Sequence, residues 1–363
     1  MDITGLVPRW IRELTPYQPG KPIEELEREC GITGAIKLAS NENPLGPSPK
    51  ALSAIGAALS DLHRYPDGDA YELKRKLSQR LGVQRDRVIL GNGSNEIIEL
   101  IVRAFLGVGD EVVVARHAFA IYRLVVQAAG GRVIAVPHRG YGFDLPAMAR
   151  AVTPKTRIVF LDNPNNPTGT IYFRDAWESF LGAVPPHVVI VVDDAYAEFV
   201  NDPRYPNSLD YQGAGRPLVT LRTFSKIYGL AGVRVGYGVS APEVIDALNR
   251  IRQPFNVNSL AQVAACAALD DEDHVRRVQE TVWHGRDYLR REFDRLGLDY
   301  APSWANFLLV NVGGGGYERL LRRGVIVRPM EGYGFAGYAR ITVGTAAENE
   351  RLVRALESLL LKG

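Results

Sequence analysis

The sequence predicts an α/β protein: a mainly parallel sheet covered by helices in a large domain, accompanied by a smaller α+β domain. Three observations predict it. Strand-like and helix-like stretches alternate from about Lys50 to Val239. Most of the strand-like runs are apolar throughout, as in strands covered on both faces. The last third changes character, to one long amphipathic helix followed by short strands and a closing helix.

Taken in order, the runs Arg87–Leu90, Glu111–Ala115, Arg132–Pro137, Arg157–Leu161, Val188–Val192 and Leu218–Leu221 are rich in Val, Ile and Leu and are assigned as strands. Glu96–Phe105, Ile121–Ala129 and Asp175–Ala183 carry apolar residues at three- and four-residue steps and are assigned as helices. Asp271–Leu296 reads as one helix with Val275, Val278, Val282, Leu289, Phe293 and Leu296 on its apolar side. Its arginines are offset by acids, as in Asp287 and Arg291, so that face is expected to be solvated. Phe307–Asn311, Gly324–Arg328 and Ala339–Val343 are short strands, and Ala346–Leu361 closes the chain as a helix. Residues before about Asn43 are loop-rich and are expected to join the smaller domain or wrap the larger one. The division expected is 44–245 for the large domain, with 1–43 and 246–363 as N-terminal arm and small domain. Gly313–Gly316 is read as a flexible turn.

Composition narrows the function classes. The 363 residues are 46% hydrophobic and 23% charged, the mix of a soluble globular enzyme. A formal net charge of +2 with the signs interspersed leaves no basic stripe for nucleic acid. Cys30 and Cys266 lie far apart and outside any C-x-x-C pattern, as reduced thiols do. Met1–Trp10 lacks the apolar core of a signal peptide, and runs such as Val188–Val192 are far short of a membrane span. The expected location is the cytoplasm.

In such a sheet, ligands sit beyond the carboxyl ends of the strands, and four motifs fall there. The first is Thr223-Phe224-Ser225-Lys226, followed eight residues later by Arg234 in a glycine-spaced run. A lone lysine is ordinarily a solvated surface residue. A lysine that must form a Schiff base needs partial burial and nearby cations. The hydroxyls of Thr223 and Ser225 with the Arg234 guanidinium suit a phosphate, so the set reads as the anchor of a phosphorylated carbonyl cofactor.

The second motif, Asp193-Asp194-Ala195-Tyr196, ends an apolar run. Asp194 also fits a simple turn cap. Two carboxylates and a tyrosine would fit a metal, but the six histidines form no ligand-spaced pair, and no metal is expected. A carboxylate facing a pyridine nitrogen keeps it protonated and makes the ring an electron sink. Asp193 is assigned that role, with Tyr196 on the ring hydroxyl. The third, Asp162 to Gly169, is dense in proline and asparagine and reads as a rigid loop presenting Asn166. The fourth, Gly91-Asn92-Gly93-Ser94-Asn95-Glu96, joins a strand to a helix whose free amides suit an anion. It departs from the dinucleotide fingerprint at Glu96, and Ser94 could equally be a plain N-cap.

With these motifs, and with Leu38–Gly46, Arg64–Asp67, Asn306-Phe307 and Arg340–Thr345, the sequence resembles the pyridoxal-phosphate-dependent aminotransferases of the aspartate-aminotransferase fold (fold type I), in particular their histidinol-phosphate branch, essentially end to end. The resemblance implies pyridoxal 5′-phosphate as cofactor and ping-pong transfer between L-histidinol phosphate and 2-oxoglutarate. It implies that Lys226 holds the cofactor and shuttles a proton, with Asp193 at the ring nitrogen and Tyr196 and Asn166 at the ring hydroxyl. Ser94, Asn95, Thr223, Ser225 and Arg234 would bind the phosphate, Phe119 would stack on the ring, and Tyr65 would reach the site of a second copy in a homodimer. Arg340 would grip a substrate carboxylate, and Tyr17, Asn43 and Arg328 fall in the substrate set. His117 departs from the proline that many relatives carry there, and its first reading is a reshaped turn.

Two alternatives share the scaffold: a threonine-phosphate decarboxylase and an aromatic-amino-acid aminotransferase. The decarboxylase pattern has threonine before the lysine and proline in the glycine-spaced run, where this sequence has Ser225 and Ala231. A DNA-binding cofactor sensor would need an additional N-terminal recognition segment, and only about forty residues precede the Asn41-Glu42-Asn43 motif. No G-x-S-x-G elbow or Walker A motif is present.

Overall fold

The computed structural model describes residues 4–213 and 215–360. The chain enters through the short helices Arg9–Arg12 and Ile23–Cys30 and strand β1 (Ile36–Lys37). The runs read as strands then appear as β2 (Val88–Gly91), β3 (Glu111–Ala115), β4 (Arg132–Val136), β5 (Thr156–Asp162), β6 (Val189–Asp193) and β7 (Leu218–Thr223). An additional strand, β8 (Gly236–Val239), completes a seven-stranded sheet in the order β2-β8-β7-β6-β5-β3-β4. Only β8 runs against its neighbours. β3 and β6 are buried at every position, which is why their sequences show no alternation.

The crossover helices Ser94–Phe105, Ala120–Ala128 and Arg174–Ala183 lie within two residues of their predicted bounds. Their apolar stripes pack on the sheet around Tyr122, Phe160 and Trp177. Two helices that the sequence reading did not assign, Pro49–Ala58 and Ser259–Leu269, lie against each other. Each starts at a side-chain cap: Ser48 Oγ accepts from the Lys50 amide at 3.1 Å, and Asn258 Oδ1 from the Ala261 amide at 2.8 Å.

The long helix is Glu272–Arg295, burying Val278, Val282, Leu289 and Phe293. Its polar face is not wholly solvated: Arg286 is buried, donating to the Ala305 carbonyl and to Asn201, both at 3.3 Å. Beyond it come β9 (Phe307–Asn311), β10 (Val325–Ile326), β11 (Arg328–Pro329) and β12 (Tyr338–Thr342). Strands β11, β12 and β9 form a three-stranded antiparallel sheet, whereas β10 pairs in parallel with β1. The single strand expected over 324–328 is therefore divided between two partners. That pairing ties the N-terminal arm to the C-terminal third, with Leu26, Ala39 and Ile326 buried together. Gly313 and Gly315 adopt φ of +75° and +67°, making the turn that starts the helix Gly316–Leu321. The closing helix covers Ala346–Leu360; Leu361, expected to be its last residue, lies outside the described residues. No helix among the described residues is long and apolar enough to cross a membrane.

Candidate active site

Strands β5, β6 and β7 end side by side, with Asp162 in register with Asp193 and Asp193 with Leu221. The chain therefore delivers the Asn163–Gly169 loop, the Asp193–Tyr196 turn and the Thr223–Lys226 segment to one sheet edge. Strand β2 delivers the start of helix Ser94–Phe105 to the same edge. Glycine is required there. A Cβ on Gly93 (φ +75°) would stand 2.4 Å from Arg234 Nη2, and one on Gly236 would stand 2.5 Å from the Ser94 amide nitrogen. Ser94 is the first helical residue rather than the cap, which is Gly93. Glu96, which replaces the third glycine of the fingerprint, accepts from the Asn92 amide at 2.6 Å and closes the loop on itself.

The result is one cavity of about 230 Å³. Ser94, Asn95, Thr223, Ser225 and Arg234 line it. Phe119, Asn166, Asp193, Tyr196 and Lys226 line it too, as do Tyr17, Arg328 and Arg340, and Arg340 is close enough to Tyr17, Arg328 and Tyr196 to interact with their charges. Thirteen of the fifteen residues assigned from the sequence thus converge on a single space.

Burial sets its electrostatics. Lys226 Nζ donates to the Ser40 carbonyl at 3.1 Å, and burial, reinforced by Arg340, brings its pKa down to about 8. Burial raises Asp193 to about 6, opposed by the Tyr122 hydroxyl, which donates to it at 2.9 Å. Burial raises the register partner Asp162 to about 8, opposed by the Asn166 amide that donates to it. Tyr196 is pushed up to about 12 by burial, and its hydroxyl accepts from Asn41 at 2.9 Å and Asn166 at 3.4 Å. Arg340 is buried, held by the Ala39 carbonyl at 2.9 Å and by Asn166 Oδ1, with its Nε unpartnered. Arg328 donates to the Gln18 carbonyl at 2.7 Å and lies 5.4 Å from the centre of the Tyr17 ring. Asp194 points away from the cavity: Ser208, Tyr205 and Arg222 occupy its carboxylate at 2.6, 3.0 and 3.4 Å, which makes it structural.

Two assigned residues are not brought to the cavity. Asn43, expected in the substrate set, donates to the Ile227 and Lys226 carbonyls at 2.9 and 3.3 Å and accepts from the Leu45 amide at 2.9 Å. Its polar atoms are committed to the loop behind the lysine, so Asn43→Ala is expected to cost stability, about 1–3 kcal/mol, read as a lower midpoint in denaturant. Tyr65 is 84% exposed and stacks on Phe255 with 4.8 Å between ring centres. The sequence reading missed Asn41, Tyr122, Asp162 and Tyr333, which do line the cavity. Asn41 carried a signal, in the Asn41-Glu42-Asn43 motif, but only the fold tells which asparagine faces inward. Tyr122 sat inside a helix pattern and read as core.

These groups form a cradle for one kind of ligand. A helix N-terminus, two hydroxyls and an arginine suit a phosphate; an amine poised near neutrality suits a carbonyl carbon; Phe119 and the Asp193 carboxylate suit a flat, cationic heterocycle between them. A sequence profile of the class I and II aminotransferases matches residues 33–356. Histidinol-phosphate aminotransferase 1 of Nitrosococcus oceani is 52% identical over 96% of this chain and 95% of its own. The histidinol-phosphate aminotransferase of Moorella thermoacetica is 51% identical over 96% and 92%. The crystal structure of histidinol-phosphate aminotransferase from Sinorhizobium meliloti, in complex with pyridoxal-5′-phosphate, superposes with a TM-score of 0.88 at 29% identity, covering 98% of this chain and 97% of that one. The chain belongs to the class I and II aminotransferase family, and within it to the histidinol-phosphate aminotransferases.

Proposed function

We propose that this chain uses pyridoxal 5′-phosphate to move an amino group from L-histidinol phosphate to 2-oxoglutarate, giving imidazole acetol phosphate and L-glutamate in histidine biosynthesis. The observation that carries the reading is that three arginines, Arg234, Arg328 and Arg340, line one cavity together with the buried Lys226. A cavity with one guanidinium for the cofactor phosphate and two more for substrates matches a phosphorylated donor alternating with a dicarboxylate acceptor.

The bound cofactor supplies an aldehyde that condenses with amines and a ring that takes up the electrons left when Cα loses its proton. Lys226 would hold that aldehyde carbon, and burial, by bringing its pKa down to about 8, leaves a substantial share of its Nζ as free amine near neutral pH. As a free amine it would serve as the base that takes the proton from the substrate Cα and as the acid that gives it back. The Asp193 carboxylate would hold a proton on the ring nitrogen, and a cationic ring beside it would offset the burial that raises its pKa. Tyr196, fixed by Asn41 and Asn166, donates to the ring hydroxyl. Ser94, Asn95, Thr223, Ser225 and Arg234 hold the phosphate and keep the ring in place through both half-reactions. Phe119 covers the ring face.

In this proposal Arg340 takes the carboxylate of 2-oxoglutarate, while Arg328 and Tyr17 take the phosphate of the donor. Arg328→Ala is expected to raise the KM for histidinol phosphate, and Arg340→Ala that for 2-oxoglutarate, each by about 10- to 100-fold, the value of one charge-assisted contact. Steady-state kinetics with each substrate varied in turn checks the split.

The chain is proposed to act in the cytoplasm as a homodimer, with Tyr65 reaching the second copy's cofactor. The support is the exposed Tyr65–Phe255 stack, an aromatic pair left in solvent in the single chain. The body is proposed to be residues 44–245, with 1–43 and 246–363 as arm and smaller domain. The separate core around Leu308, Val310 and Ile341 supports that division. The test of the function is incubation with 2-oxoglutarate and each donor in turn. Glutamate from histidinol phosphate is expected. Glutamate from phenylalanine or tyrosine alone, or CO₂ from threonine phosphate, would overturn the assignment.

A further inference from the structure

His117 lies just beyond β3, two residues before Phe119, and its ring reaches across to the other sheet system. Its Nδ1 is hydrogen-bonded to the carbonyl of Tyr333, in the Glu331–Tyr333 turn between β11 and β12. A carbonyl only accepts, so Nδ1 carries the proton. The His117 carbonyl accepts from Asn165 Nδ2 at 3.1 Å, in the loop that presents Asn166. One residue therefore ties together three loops that each supply a wall of the cavity: Phe119, Asn166 and Tyr333.

The contact is packed as well as hydrogen-bonded. The His117 ring centre is 4.3 Å from that of Phe335 and 5.0 Å from that of His138. A Cβ added at Gly334 (φ +83°) would stand 3.0 Å from His117 Cε1, so the turn approaches the imidazole closely because that position is glycine. Tyr333 itself lines the same cavity as Tyr17 and Arg328, close enough for its hydroxyl to feel both of them.

We propose that His117 is a positioning residue for the amino donor: it clamps the Glu331–Tyr333 turn onto the Phe119 segment and so fixes Tyr333 near Tyr17 and Arg328 in the cavity. The role acts through Tyr333 rather than through the reacting atoms. It rests on the proposed function only for the identity of the donor.

The test compares His117→Ala and His117→Asn with the wild-type holoenzyme. Asparagine keeps an amide donor near the place of Nδ1, whereas alanine removes it. Hydrogen exchange is followed at the Tyr333, Gly334 and Phe335 amides, which bond back to Met330 and Glu331 within the turn. The steady-state constants are measured with histidinol phosphate. His117→Ala is expected to speed exchange in the turn and to raise the donor KM about tenfold, the value of one hydrogen bond at the upper end of the usual range, with kcat within about twofold. His117→Asn is expected to recover most of both. Unchanged exchange in the alanine variant would overturn the clamp. Faster exchange with an unchanged donor KM, or an asparagine variant no better than alanine, would overturn the positioning role. A wild-type enzyme that does not consume histidinol phosphate would instead sink the donor assignment, and the exchange comparison would still decide the clamp.

Discussion

Lys226→Ala is expected to lower turnover by about four orders of magnitude, because one substitution removes both the group that holds the cofactor aldehyde and the general base for Cα. The folded state should survive it. The lysine makes one hydrogen bond, to the Ser40 carbonyl, and its burial works against its charge. The circular dichroism spectrum should therefore match the wild type while the visible absorbance of the tethered cofactor is lost. The pH dependence has a definite sign. The free amine is the reactive form, and burial sets its pKa near 8. Reconstitution of apoenzyme with the cofactor should therefore speed up as pH rises and level off above about 8. A surface lysine, near 10.4, would keep accelerating for about two further pH units.

Asp193→Ala should cost about 10²- to 10³-fold in kcat, with a smaller effect on KM, because it removes a charge that matters most when electrons enter the ring. Its position leaves little room for another function. Asp193 is buried at the end of β6, with its two oxygens accepting from the Tyr122 hydroxyl at 2.9 Å and the Ala195 amide at 3.2 Å. Asp193→Asn keeps the shape but not the charge and should be nearly as damaging. Asp194→Asn probes the neighbouring carboxylate. Its partners are Ser208, Tyr205 and Arg222, so its cost should appear in stability rather than in the chemical step. Comparing kcat and denaturation midpoints across the three variants separates the two roles.

The sheet was legible wherever burial on both faces had written a run of Val, Ile and Leu into the chain, as in β3 and β6. Strand β8 was not legible, because its sequence, Gly236-Tyr237-Gly238-Val239, has the composition of a turn. Its glycines are there for clearance: a Cβ on Gly236 would strike the Ser94 amide, and one on Gly238 would stand 3.1 Å from Ile89. Helices Pro49–Ala58 and Ser259–Leu269 escaped for a related reason. They pack on each other through alanines, which leaves little apolar contrast between faces.

In the candidate site, residues following strands were readable because parallel strands send their carboxyl ends to one edge. Asn41, Tyr122 and Tyr333 reach the cavity from a loop, a helix and a turn whose approach depends on tertiary packing, and nothing local in the chain announces it. Asn43 shows the converse: its motif was recognisable, but its amide holds the backbone behind Lys226.

The central claim is that one lysine carries the cofactor. Borohydride reduction of the holoenzyme, followed by proteolysis and mass mapping, tests it most directly. The pyridoxyl mass should fall on the peptide containing Lys226 and should be missing from the Lys226→Ala protein. A label on another lysine, no label in the wild type, or the same label in the variant would contradict the account.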